Sequence, residues 1–351
     1  MKGVWRFRIW LFWPALAGLF GTLAIWLAVP VPYVVYEPGP VATTRPMVRA
    51  AAESPQEGAF LLTTVRWSYA NVLRYAAAKT KLLPHAELFE KETITRGATR
   101  TEYAERQRLR MNGSHGNALE AAYRTLGVPY EVKREDIAVF GVIPGMAADG
   151  VLRAGDRLIA LDGKRLAEDE DLKERLSGKR IGDAVTVTYR RGEEERTAEL
   201  TLGPLPDADP PRPGMGISYG TIQTVESVDP AYRVDIEAGS IGGPSAGLMF
   251  ALEIYDRFSA DDWTKGYRIA GTGEISPDGT VGSIGGVAHK VVGAHRDGAD
   301  LFFVPTVNAE AARRKAAELG TSMEIAAVGS LREALDYLAA LPAKSVRTGG
   351  L

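Results

Sequence analysis

Runs of apolar residues set different periods along this chain. Ile9 to Val29, IWLFWPALAGLFGTLAIWLAV, is 21 residues without a charge, long enough to cross a bilayer as a helix. Pro30 to Pro46 carries five prolines and predicts an extended stalk. Gly58 to Trp67 is rich in β-formers and predicts a strand. In Leu109–Leu126 the spacing of Ala118, Ala121 and Ala122 is helical, and Gly127 suits a left-handed C-cap.

From Val132 to Leu202 short β-rich runs alternate with glycine turns: Ile137–Ile143, Arg157–Leu161, Ala184–Arg190 and Arg196–Leu202, with one polar helix, AEDEDLKERLSG. Gly203 to Gly214 holds five prolines in twelve residues and reads as a linker. Beyond it strand and helix alternate: strands at Arg233–Glu237, Tyr267–Ile275 and Leu301–Val304, helices at Pro244–Phe258, Val287–Asp297, Ala309–Leu319 and Leu331–Leu341. That alternation predicts an α/β layered fold, and the tail AKSVRTGGL reads as disordered.

Lys2, Arg6 and Arg8 precede the first apolar run, and Trp5, Trp10, Trp13 and Trp26 lie near its ends, as interfacial aromatics do. The rival is a cleaved signal peptide, but the run is long for that and VPVPYVV offers no A-x-A site. An uncleaved anchor places residues 1–30 as a cytoplasmic stub and span, with the rest of the chain extracytoplasmic. The formal net charge of −2 and the absence of a Lys/Arg block argue against a nucleic-acid partner. With no cysteine, disulfides, thiolate metal sites and cysteine nucleophiles are excluded. No P-loop is present, because Gly163–Lys164 and Gly178–Lys179 are each followed by Arg. No metal or cofactor is expected.

SIGGPSAGLMFALEIYD, Ser240 to Asp256, opens an apolar helix on Gly242, Gly243 and Pro244, with Ser245 in its first turn. Ser245 is either a plain helix-start residue or a nucleophile beside free backbone N–H groups. A nucleophilic serine needs a base. Of His85, His115, His289 and His295, none is tied to an obvious acid. Lys290 stands in the first turns of a second glycine-led helix, after Gly285 and Gly286. It is either a solvated surface lysine or an amine whose charge is disfavoured by burial, and only the latter can act as a base. His289 points about 100° away around that helix and is expected at the surface.

GPSAG around Ser245 and the run from Gly271 to Lys290, GTGEI…VG-SIGG…K, together resemble the proteolytic domain of Lon-type serine–lysine peptidases. The resemblance implies Ser245 as nucleophile, Lys290 as base, Thr272 as a neighbour bonded to the lysine, and an oxyanion site near Gly243. This chain departs from the family in having Gly242 where an acidic residue is usual. GAFLLTTV and MNGSHGNALEAA resemble the early strand and helix of the same domain, and Val142 to Leu166 resembles a PDZ domain.

The layout then resembles membrane-anchored PDZ–Lon-like proteases of bacteria. It implies a stalk at 31–57, the first part of the protease domain at 58–127 and an inserted PDZ domain at 128–205. A linker at 206–214, the catalytic part at 215–342 and a flexible tail at 343–351 follow. The PDZ groove is expected between the strand holding Ile137 and Val139 and the helix holding Leu172 and Leu176. The implied activity is ATP-independent cleavage of membrane-proximal protein substrates, in a homo-oligomer that by resemblance is a hexameric ring. The alternatives are a catalytically degenerate PDZ adaptor, a PDZ domain that only scaffolds, and a serine–histidine hydrolase using His289.

Overall fold

The structure is a computed structural model that describes Gly21 and residues 26–52, 54–95, 97–167, 169–206, 209–239 and 241–344. Most of the apolar Ile9–Val29 run and the tail from residue 345 lie outside the described residues. Among the described residues no helix is long and apolar enough to cross a membrane. The chain divides into two compact units: a smaller one of residues 1–38 and 65–96, and a larger one of residues 39–64 and 97–351.

Strand β1, Pro30–Thr43, begins in the smaller unit, and β3, Ala59–Asn71, ends there. Helix α1, Val72–Lys79, strand β4, Glu87–Glu90, and helix α2, Lys91–Thr95, complete it. The expected stalk is therefore a paired strand. Tyr33–Tyr36 of β1, a proline-free stretch between Pro32 and Pro38, pairs antiparallel with β4. Prolines lack the N–H a ladder needs, and the pairing with β4 falls where they are absent; β1 is also paired with β3. Val35, Ala70 and Ala78 form the small core.

The larger unit carries strand β2, Val48–Ala50, and helix α3, Arg100–Leu126. A capping box of Thr99 and Glu102 starts α3, and Gly127 ends it in the left-handed conformation. Next come β5, Tyr130–Val142, β6, Arg157–Leu161, β7, Lys164–Arg165, α4, Asp169–Ser177, β8, Ala184–Arg191, and β9, Glu194–Thr201. The expected proline linker folds into the two-stranded ribbon of β10, Gly203–Pro204, and β11, Pro213–Gly214. Strand β12, Ile217–Ser227, pairs antiparallel with β5 along its length, giving the sheet order β12-β5-β6-β8-β9. The small β domain thus runs on to residue 227 and does not end at 205. Ile137, Leu158, Leu172 and Val187 fill its core.

The remaining elements are β13, Val234–Ile236, α5, Gly247–Arg257, β14, Arg268–Gly271, β15, Glu274–Ile275, and β16, Val281–Gly282. Then follow α6, Val287–Arg296, β17, Leu301–Pro305, α7, Ala309–Leu319, β18, Glu324–Val328, and α8, Leu331–Ala340. Strand β14 lies parallel between β3 and β17, and β17 runs parallel to β18. Alternate residues of these strands face opposite layers. Phe60, Leu62, Ile269 and Phe303 meet α3, α5 and α8, whereas Leu61, Ala270, Phe302 and Val304 meet α6 and α7. Burial on both faces makes these strands continuously apolar.

Candidate active site

The C-terminal end of β14 delivers Thr272, whose backbone N–H donates to the Phe303 carbonyl of β17 at 3.0 Å. A close approach shapes this corner: a Cβ on Gly271 would lie 2.5 Å from Met249 Sδ. Ser245 sits in a 3₁₀ turn, Pro244–Ala246, that opens α5. Pro244 suits that start because its missing N–H would have no helical partner. The carbonyl of Ser245 accepts from the Gly273 N–H at 2.9 Å and from Thr272 Oγ1 at 3.0 Å. From α3, Ser114 Oγ donates to the Pro244 carbonyl at 2.9 Å. Gly247 permits this approach, since a Cβ there would stand 2.8 Å from Ser114 Oγ.

Gly286, at a φ of 69°, turns the chain into α6 and so presents Lys290 inward. Asn308 holds the loop before it, accepting from the Ile284 N–H and donating to the Ile284 carbonyl, both at 3.0 Å. The sequence reading passed over Asn308, because its partners are backbone atoms of another segment. Lys290 Nζ lies 2.6 Å from Ser245 Oγ and 2.8 Å from Thr272 Oγ1. Ser245, Thr272 and Lys290 are thus one hydrogen-bonded cluster, although 45 residues separate the serine from the lysine.

Lys290 is 3 % exposed and Thr272 fully buried. Burial pushes the Lys290 amine down to about 7, with the Glu274 carboxylate opposing that fall. The single proton of the Thr272 hydroxyl goes to the Ser245 carbonyl, so this oxygen can only accept from the lysine. An amine N–H is therefore held toward Thr272 while the nitrogen lone pair of the neutral form is left for the serine hydroxyl. Replacing Thr272 by valine is expected to lower kcat/KM by about 10- to 100-fold, the effect of losing one hydrogen bond to a titrating group. It should also move the acid limb of the pH–rate profile, a change that simple loosening of the fold would not produce.

Two expectations need correction. His289 is 2 % exposed, so it is a buried residue of α6 and not a surface one. Gly243 does not offer a free N–H: at a φ of 95° it donates to the Gln107 carbonyl of α3 at 2.9 Å. Gly247 donates to the Pro244 carbonyl and Leu248 to the Gly273 carbonyl at 3.1 Å, which leaves the Ser245 N–H as the oxyanion donor at the helix start. The preceding residue, Arg106, donates from Nε to the Phe140 carbonyl of β5 at 3.1 Å, so α3 ties the small β domain beside the serine loop.

The expected peptide groove is also placed differently. Ile137, Val139 and Leu172 are fully buried, and β5 is paired on both sides, by β12 and β6. A peptide can add only to an edge strand. Of the edge strands β12 and β9, it is β12 against which α4 packs, and Leu176 is half-buried on α4.

A half-buried serine at a helix start, bonded to a buried lysine on an α/β sheet, defines a serine hydrolase that uses an amine base. Residues 229–340 match the Lon protease (S16) C-terminal proteolytic domain, and residues 125–202 match a PDZ domain. The chain thus carries a PDZ domain and a serine endopeptidase domain of the Lon type. Lon protease 1 of Sorangium cellulosum is 34 % identical over 128 residues, which are 34 % of this chain and 16 % of that protein. Lon protease 2 of Bacillus subtilis is 34 % identical over 105 residues, 29 % of this chain and 17 % of that protein. The chain therefore spans less than a fifth of the length of these relatives. Among solved structures, the PDZ domain of an SdrC-like protein from Listeria monocytogenes is 26 % identical, with a TM-score of 0.24. It covers 25 % of this chain and 92 % of its own. Strand β12 lies between the two matched regions and belongs to neither.

Proposed function

We propose that the chain is a membrane-anchored serine endopeptidase that works without hydrolysing ATP and cleaves protein substrates outside the cytoplasm. The observation that carries the peptidase reading is the contact of 2.6 Å between Lys290 Nζ and Ser245 Oγ, with the lysine buried. Neutral Lys290 takes the serine proton as Oγ attacks a peptide carbonyl. The ammonium then protonates the leaving amine, and water deacylates the enzyme with the same base. The Ser245 N–H at the helix start holds the oxyanion. The uncharged run Ile9–Val29 supports the anchor, and the lack of a P-loop in these residues supports ATP independence. The PDZ edge at β12 recruits extended substrates. Ring assembly follows from the Lon resemblance and is part of the proposal.

The test is cleavage of unfolded β-casein by the full chain in detergent, with no nucleotide present. Fragments that appear at the same rate with and without ATP are expected. A requirement for ATP, or no fragments, overturns the reading. External protease added to intact cells should digest the PDZ and catalytic domains, and their full protection would overturn the extracytoplasmic placement.

A further inference from the structure

The larger unit holds a cavity of about 340 Å³ away from the serine–lysine pair, bounded by α3, β12 and β13. Its floor is one face of α3, formed by Asn112, His115, Leu119 and Tyr123 at helical spacing. Its two walls are strands, and each contributes consecutive residues: Gln223 to Ser227 from β12, and Val234 to Ile236 from β13 with Arg233 just before it. Successive side chains of a strand point to opposite faces. Five consecutive residues can line one space only if the strand turns its edge toward it.

Among the described residues, β12 pairs only with β5, and β13 only with β2. The cavity therefore lies between two strand edges, the setting in which an added strand finds main-chain partners. Strand β12 also packs against α4. Gly116 brings α3 close beneath: a Cβ there would lie 3.4 Å from the Gln223 carbonyl oxygen. The floor is mixed: Leu119 and Tyr123 are buried apolar side chains, whereas Asn112 and His115 are polar, with His115 edge-on to Phe250 at 5.1 Å. Burial holds the His115 imidazole down to about 4, so the floor is uncharged at neutral pH. At the mouth stand the carboxylates of Glu226 and Asp235 and the guanidinium of Arg233, all three residues exposed.

We infer that this cavity is an exosite for an extended stretch of unfolded polypeptide. The stretch adds as a strand to β12, with both polar and apolar side chains over the α3 floor and charged or polar ones at the mouth. It lies outside the catalytic cluster and engages chain remote from the scissile bond. The turnover arm of its test rests on the peptidase reading; the binding arm does not.

The probe is fluorescein-labelled β-casein, bound to the full chain carrying Ser245→Ala so that nothing is cleaved. Asn112→Trp fills the cavity from the exposed side of α3, and Asp235→Trp fills it from β13. Either is expected to weaken casein binding tenfold or more. Hydrogen exchange should show the amides of Gln223–Ser227 protected when casein is added. On the cleaving chain, Asn112→Trp should raise KM for casein about tenfold and leave kcat/KM for a fluorogenic tetrapeptide within twofold. Unchanged casein affinity in both folded variants, absent casein binding, or unprotected β12 amides overturns the exosite. A chain that binds casein through this cavity but cleaves neither substrate overturns the peptidase reading instead.

Discussion

Ser245→Ala is expected to abolish casein cleavage, with kcat/KM lowered by roughly 10⁴-fold or more, while the fold is kept. Ser245 Oγ reaches Lys290 Nζ at 2.6 Å, whereas the bonds that shape its turn are made by its carbonyl. Removing the hydroxyl thus deletes the nucleophile and leaves the Thr272 and Gly273 clamp intact. Gel analysis of casein digestion, with thermal melting as the control for folding, measures both. Turnover that survives in the folded variant would eliminate Ser245 as nucleophile and favour a hydrolase built on another residue. Pairing the measurement with His289→Ala separates the serine–histidine alternative, which requires activity to vanish with the histidine.

Lys290→Met is expected to lose activity to a similar degree and to gain stability. Methionine fills the same volume with no charge to bury. The amine falls from an ordinary value of 10.5 to about 7 in the fold. Below about pH 7 the folded chain holds this amine charged at the full cost of its burial. Between about pH 7 and 10.5 the unfolded chain binds the proton and the folded chain does not, so stability rises with pH across that window. Lys290→Met should remove this rise and stabilise the fold at pH 6 by a few kcal/mol, about 1.4 kcal/mol per pKa unit. Activity has the same origin: only the neutral amine accepts the serine proton, so kcat/KM should climb through about pH 7 and level off above it. Lys290→Arg, which stays protonated, should be inactive at every pH. A flat profile from pH 5.5 to 9, or an active arginine variant, would overturn the lysine's role as base.

The apolar helices and most strands of the last third are legible because each carries its own period, but β18 is not, and Tyr267–Ile275 reads as one strand where β14 and β15 are two. Helix α7 begins at Ala309 and ends at Leu319, as its spacing predicts, and Gly127 closes α3 where a left-handed cap was expected. Strands such as β12 were missed. ISYGTIQTVES is part polar and glycine-bearing, and its pairing with β5 comes from a segment about ninety residues earlier. The prolines of Pro30–Pro46 predict a stalk because pairing depends on the partner β4, which local composition does not contain. The groove along Ile137 and Val139 was misplaced for a related reason. Alternation marks which residues point inward, but not whether a neighbouring strand already occupies the edge.

By itself the sequence determined the chemistry available: one serine and one lysine, each just inside a glycine-led helix start, with no cysteine and no acid-paired histidine to compete. Helix starts are local events, set by Pro244 and by the left-handed turn at Gly286. Only the tertiary structure decided that the two side chains meet. It also decided that the lysine is buried enough to lose its proton near neutrality, that Thr272 turns the amine toward the serine, and that Gly243 spends its N–H on Gln107. Distance, burial and the allocation of each hydrogen bond depend on residues far apart in the chain, and no local pattern encodes them.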